Sequence, residues 1–240
     1  YRAIFTDAYF TQAVFNTLFI VLVSVTLEFV FAFGLALLIN MRFRGAGAFL
    51  FIAMIPMALP PVAVGAMWTS GFVAEGGWAN SLLQHLGILG LDEQIAFLGG
   101  GAWASMALVI VVDAWQVIPF MMILLLAGLQ NLDRELQEAA TVFGAGRWTV
   151  FRRITLPLLK PTVQTALLLR IISALQIWHI IVMLFGFKRI PVLLSEVLYA
   201  QEKLGLMRVA MAYSVLVALI VSGVAILYLK VSGALRREPG

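Results

Sequence analysis

Five stretches of this chain are apolar along almost their whole length: about 13–39, 49–72, 103–129, 162–185 and 208–229. About 20 mostly apolar residues in a helix cross the roughly 30 Å hydrocarbon layer of a bilayer, so each stretch is long enough to span it. The runs are continuous instead of alternating, which predicts helices and not strands. Of the 240 residues, 62% are hydrophobic and only 12% charged. A soluble domain carries about 45–50% apolar and about 25% charged residues, so this chain has too little charge to clothe a water-facing surface. The expected fold is an all-α integral membrane protein, one domain over residues 1–240. There is no cysteine, which excludes disulfides, thiol catalysis and Cys-based metal sites.

The connections between spans differ sharply in charge. Arg42 and Arg44 lie in the first; Arg134, Arg147, Arg152, Arg153 and Lys160 in the 130–161 segment; Lys230, Arg236 and Arg237 in the tail. These are ten of the sixteen basic residues. Five crossings place all three regions on one side, and the excess of Lys and Arg makes that side cytoplasmic. The 73–102 loop has Glu75, Asp92 and Glu93 but no Lys or Arg, so it is external. The loop around Lys188, Arg189, Lys203 and Arg208 is also external by parity and is the exception to the charge rule. Residues 1–7 lack the positive n-region and cleavage pattern of a signal peptide. An odd number of crossings would start the chain outside, so a further helix is expected before residue 1, and the C-terminus is expected in the cytoplasm.

The 130–161 segment carries the most local information. Asp133 is a good N-cap, and Glu135 in the first turn suits the helix dipole. Gly144 stands where a C′ glycine would end a helix over 133–143. A second short helix is expected from Arg147 to Ile154, broken by Pro157 and Pro161 ahead of the next span. Ala139, Ala140, Gly144, Ala145 and Gly146 are small enough to let another protein approach closely, with Glu138 as an ionisable handle among them. The alternative is an amphipathic connector resting on lipid, with Trp148 and Phe151 at the headgroups.

Glu138-Ala139-Ala140, Gly144, and then Ile154, Leu156 and Pro157 resemble the EAA motif of ABC-importer permeases, with matching spacing throughout. Phe151 and Pro161 fit its sugar-importer form, while Phe143 departs from the Asp usual before the glycine. Pro119-Phe120 through Gln130, Asn16-Thr17 and Gly77–Leu83 are also similar to the maltose/glycerol-3-phosphate type. Gly186–Pro191 departs from that type's Gly-Gly-Pro stretch. The resemblance implies a permease with six core spans in a bacterial or archaeal cytoplasmic membrane. It also implies that Glu138, Ala139, Ala140, Gly144, Ala145, Leu156 and Pro157 couple it to an ATPase. The implied partners are a second, homologous permease, two copies of the ATPase with their ATP and Mg, and an extracytoplasmic solute-binding protein. Cargo would be a sugar or sugar derivative. A polyamine, oxyanion or amino acid is the alternative, and an ion-coupled carrier a remoter one.

No cofactor is expected in this chain, and it is not expected to be an enzyme. It has no G-x-x-x-x-G-K-[ST] phosphate loop, since Gly99–Gly101 lacks the lysine and reads as a flexible entry to the next span. His85 and His179 are its two histidines, without metal-ligand spacing. The basic residues flank spans, which indicates contact with membrane lipid and not nucleic acid.

Charges at membrane depth cost at least about 2.5–3.5 kcal/mol each, which makes Glu28, Asp113, Arg170 and His179 functional candidates. Asp113 and Gln116 share a helix face beside Trp115; Arg170 shares one with Ser173; Gln176 is expected to share one with His179, next to Trp178. A sugar site needs hydrogen-bonding groups and flat aromatic faces. Asp113, Trp115, Gln116, Ser173, Gln176 and His179 supply both, and are the candidate substrate contacts. Arg170 could instead pair with Asp113 or Glu28, or snorkel to the cytoplasmic surface. Pro56, Pro60 and Pro61 are expected to interrupt the second span, and Met54, Met57, Met67, Met121 and Met122 to pack.

Overall fold

The computed structural model describes residues 8–233. Tyr1–Asp7, the expected preceding helix, and residues 234–240 with Arg236 and Arg237 lie outside them. Every regular element among the described residues is helical. Two long helices, α1 (Ala8–Asn40) and α5 (Ala102–Gln130), run parallel and form the spine. Near their starts, Ile20 packs with Met106, Val109 and Ile110; near their ends, Ala32, Ala36 and Ile39 pack with Met121, Leu125 and Leu129. Around the spine lie α2 (Ala46–Ala58), α3 (Pro61–Phe72), α8 (Leu156–Leu175), α9 (His179–Phe185) and α11 (Met207–Ser232), with the short α4 (Trp78–His85) and α10 (Leu193–Leu198) at one end. Four helical stretches are long and apolar enough to cross a membrane, and α2 with α3 makes a fifth if the bent pair counts as one span.

The connections sort by end. Asn40 and Met41 line a common cavity with Glu138 and Arg147, and the Gln164 side-chain amide donates to Ser232 O at 2.6 Å. All three basic regions therefore gather at one end as far as they are described. At the other end Arg189 donates to Gly100 O, joining the 186–206 and 73–102 loops. That bond ties down the Gly99–Gly101 stretch, which the sequence read as a flexible entry. Asn16 and Thr17 strap the 186–206 loop to α1: Asn16 Nδ2 donates to Pro191 O at 2.9 Å, and Thr17 Oγ1 accepts from Leu193 N at 3.0 Å.

The second apolar stretch, 49–72, is two helices bent by 93°. Pro60 and Pro61 have no amide hydrogen, and a residue before proline avoids helical angles. Leu59 (φ −81°, ψ 136°) and Pro60 (φ −59°, ψ 140°) are accordingly extended. Pro56, expected to interrupt as well, stays inside α2.

The fourth span is shifted from its expected bounds of 162–185. The helix begins at Arg147, in α7 (Arg147–Val150), and runs to Leu175. Pro157 and Pro161 do not break it. A π turn at Phe151–Thr155, in which Leu156 N reaches back to Phe151 O, widens the backbone immediately before Pro157 and accommodates its ring. At the far end the apolar run continues but the helix does not. Gln176 N and Ile177 N close on Ser173 O and Ala174 O, each at 3.1 Å, and Trp178 leaves helical angles at φ −154°, ψ −40°. No proline or glycine marks this break; packing does. The helix that follows, α9, lies against α3, where a Cβ on Gly65 would sit 2.8 Å from the Met183 side chain.

Candidate functional site

The candidate coupling segment is a closed local design. In α6 (Arg134–Val142), Asp133 caps the start by accepting from Glu135 N at 2.9 Å. Gly144 ends it at φ +84°, a region that L side chains avoid. Gly144 N then bonds Thr141 O at 2.9 Å and Ala145 N bonds Ala140 O at 3.0 Å, the paired bonds of a Schellman cap. Glu138, Ala139 and Gly144 are exposed, and Ala140 and Ala145 half-buried. Glu138 also lines an open cavity of about 830 Å³ with Arg147, Phe151 and the end of α1. Leu156 and Pro157 lie at the start of α8, with Leu156 half-buried and Pro157 exposed.

Halfway along the bundle is a layer of charge. Arg170 on α8 reaches Glu28 on α1 and Asp113 on α5. Its Nη2 also donates to the second Glu28 oxygen at 2.8 Å, and its Nη1 to Ser173 Oγ at 3.2 Å. Glu28 is 0% exposed, Arg170 3% and Asp113 4%. The layer separates two apolar clusters, one around Ile20, Val109 and Ile180, the other around Ala32, Met122 and Leu159. Arg170 therefore pairs with both acids and does not snorkel.

Of the other candidate contacts, Ser173, Gln176 and His179 lie beyond this layer, away from the coupling segment, and the ring of Trp115 packs with the apolar cluster on that side. Gln116 Nε2 points at Leu59 O, freed by the bend between α2 and α3, at 3.4 Å. Trp115 meets Trp68 edge to face at 5.6 Å between centroids, and Trp68 in turn contacts Phe72 and Trp78, each at 5.1 Å. Ser173 is bound to Arg170. Gln176 and His179 do not share a helix face, because the break at 176–178 separates them. Gln176 lines a second cavity, of about 380 Å³, with Ser214 and Ser222 of α11. His179 starts α9, with its Nε2 buried and without a partner among the described residues. The structure thus brings Asp113, Gln116, Trp115 and Ser173 around one layer and sets Gln176 and His179 on diverging elements.

Sequence reasoning missed Trp68, whose buried Nε1 is also unpartnered among the described residues. Its place beyond the two prolines, on the helix facing Trp115, was the available signal. Also missed was Glu196, nearly buried, whose carboxylate holds Lys188 Nζ at 3.0 Å while that ammonium lies over the Tyr9 and Tyr199 rings. No group of three or more potential metal ligands occurs among the described residues.

Comparison with known proteins adds three findings. Residues 28–235 match the family described as binding-protein-dependent transport system inner membrane component. The trehalose/maltose transport system permease protein MalF of Thermococcus litoralis is 35% identical over 240 residues, covering 99% of this chain and 79% of that protein. The sulfoquinovosyl glycerol transport system permease protein SmoG of Agrobacterium fabrum is 38% identical over 186 residues, covering 78% of this chain and 59% of that one. A chain in the crystal structure of a bacterial alginate ABC transporter, in complex with an alginate pentasaccharide-bound periplasmic protein, superposes with a TM-score of 0.85. It is 24% identical and covers 96% of this chain and 80% of its own.

Proposed function

The chain belongs to the family of binding-protein-dependent transport system inner membrane components, and from that membership we propose that it is a sugar-passing permease subunit of an ATP-driven importer. It is a multi-pass membrane protein and a transport subunit, with ATP and Mg held by a partner ATPase. The observation that carries the proposal is the exposed α6, capped at both ends and joined through α7 to a helix that runs unbroken into the charged layer. Its small, exposed face suits insertion into a partner. Similarity to permeases named for trehalose, maltose and sulfoquinovosyl glycerol supports a saccharide cargo.

In this reading the end bearing Arg42, Arg147 and Lys230 faces the cytoplasm, and the C-terminus lies there. Two ATPase subunits dock on this chain and on a second, homologous permease, and a solute-binding protein docks at the opposite end. Asp113, Trp115, Gln116, Ser173, Gln176 and His179 face the cargo. Access alternates between the two sides because ATP and the loaded binding protein both bind the outward-facing state better. A ligand shifts such an equilibrium only by its differential affinity for the two states.

The test places the full-length chain, with the subunits that co-purify with it and its binding protein, in proteoliposomes. ATP hydrolysis is recorded against disaccharides, oligosaccharides, glycerol phosphates, polyamines and oxyanions. Stimulation by one saccharide class is the expected result. Stimulation by a non-sugar alone overturns the cargo, and the absence of any co-purifying ATPase overturns the coupling role.

A further inference from the structure

Arg170 is the only buried Lys or Arg among the described residues, and Lys160, the preceding basic residue on the same helix, is exposed. An anionic sugar crossing near the middle of this subunit would have to be met by that guanidinium or by none. A guanidinium has five N–H donors in a fixed fork. Nε donates to Glu28, Nη2 to both Glu28 and Asp113, and Nη1 to Ser173 Oγ. Four of the five are thereby engaged, and the pair of parallel donors that a carboxylate or sulfonate needs for two-point binding is already closed on Glu28. The Ser173 hydroxyl is engaged too, donating to Arg170 O at 3.0 Å. The layer holds two acids around one base, so no unpaired cation remains to offset the cost of bringing an anion into a buried region.

The groups left open nearby are of another kind. Gln176 is exposed just past the end of α8, about 9 Å further along than Arg170 at 1.5 Å per residue. Trp68 Nε1 is buried without a partner among the described residues, its ring edge to face with that of Trp115, two residues from Asp113. His179 Nε2 is likewise unpartnered among the described residues. Amide, indole and imidazole nitrogens match hydroxyl groups, and the Trp faces match the C–H surfaces of a sugar ring.

We infer that this permease selects uncharged saccharides and rejects uronate, sulfonate and phosphate sugars, because Glu28 and Asp113 occupy the one guanidinium that could receive an anion. The inference rests on the reading of this region as the sugar site. It divides the relatives, since it sets this chain with a trehalose/maltose system and apart from a sulfoquinovosyl glycerol system.

The experiment measures binding of labelled sugars by equilibrium dialysis. The sample is the full-length chain in its co-purified complex, without binding protein, so that selection by the latter does not enter. Two matched pairs serve as probes: glucosyl glycerol against sulfoquinovosyl glycerol, and trehalose against its uronate. The neutral member should bind on the order of tenfold or more tightly, as expected when an anionic group is buried without the paired donors it needs. Glu28→Gln, which removes one acid from Arg170, should narrow that ratio, and Asp113→Asn serves if the first variant fails to assemble. Equal or tighter binding of the anionic member by the unmutated complex overturns the inference and leaves the sugar reading standing. An unchanged ratio in an assembled variant overturns it as well. If an intact complex binds neither member of either pair while a polyamine or oxyanion binds, the sugar reading falls and the inference with it.

Discussion

Replacing Arg170 by Met tests the charged layer most directly. The substitution keeps the length of the side chain and removes the cation, leaving Glu28 and Asp113 facing one another with no counter-charge. Both are within 5% of full burial, so water cannot screen them. Removing one partner of a buried ion pair destabilises by about 3–5 kcal/mol, chiefly because the other charge is stranded. At about 1.4 kcal/mol per factor of ten, the unfolding equilibrium should shift by two to three and a half orders of magnitude. The full-length chain would be titrated with SDS in mixed micelles, following the fluorescence of its six tryptophans. A second variant carries Glu28→Gln and Asp113→Asn as well. Since a buried ionic triad can be exchanged for uncharged groups at little cost, it should recover more than half of the loss. If Arg170→Met stays within about 0.5 kcal/mol of the parent, the range of an ordinary surface change, the layer is not a stabilising ion-pair centre. A triple variant no better than the single one would show that charge stranding is not the cause.

Three further outcomes follow from the same geometry. Glu138→Lys reverses the charge on the exposed face of α6 and should reduce ATPase co-purification by about tenfold or more, the effect of losing a strong interface contact, without altering membrane insertion; unchanged co-purification counts against the docking role. Gly144→Val forces a β-branched residue to φ +84°, at about 1–2 kcal/mol. It should loosen the Schellman cap, seen as faster proteolysis at 141–147, and lower transport per ATP; parental proteolysis would show that the turn does not depend on glycine. Asp113→Asn keeps the shape and one acceptor, and should weaken uptake while the complex stays assembled; wild-type uptake would remove Asp113 from the cargo contacts.

What the sequence revealed, and what it hid, divides along a physical line. Local chemistry was legible: Asp133 caps, Gly144 terminates, and the double proline at Pro60 and Pro61 bends the second span, because each effect acts within a turn of the residue that causes it. The break at Gln176–Trp178 was not, since Gln, Ile and Trp are all compatible with a helix and the break depends on α9 packing against α3. Pro157 misled in the opposite sense, because a π turn one step earlier opens room for its ring, and nothing in a composition announces a π turn. The four basic residues in and just after the 186–206 loop, Lys188, Arg189, Lys203 and Arg208, conflicted with the charge rule. Two of them are held in the fold, Lys188 by Glu196 and two tyrosine rings, and Arg189 by Gly100 O. The pairing of Arg170 was foreseeable as a class, but only the fold shows that one guanidinium serves both acids.

The unbroken helix from Arg147 to Leu175 bears on how a distant ATPase could act on the middle of the membrane. Arg170 lies 23 residues beyond Arg147, about 34 Å at 1.5 Å per residue. Had Pro157 and Pro161 divided that length, as the sequence suggested, a push on α6 would be absorbed at the division. The π turn preserves the rod while leaving Pro157 without a hydrogen bond to give, so the rod is continuous yet easier to bend near its base than elsewhere. Gly128 brings α5 close enough at this level that an added Cβ would lie 2.6 Å from Thr162, which makes the α5–α8 crossing the natural pivot. On the far side of the pivot the same rod carries Arg170 and Ser173, then ends at the 176–178 break. If α6 docks the ATPase as proposed, a tilt imposed there would be delivered to the ion layer, whose other two members sit on the parallel spine helices α1 and α5. The break beyond it allows α9 and the opposite end to keep their own packing. In the proposed role, the part that follows the ATPase and the part that follows the loops would meet at this charged layer, as alternating access requires of a single subunit.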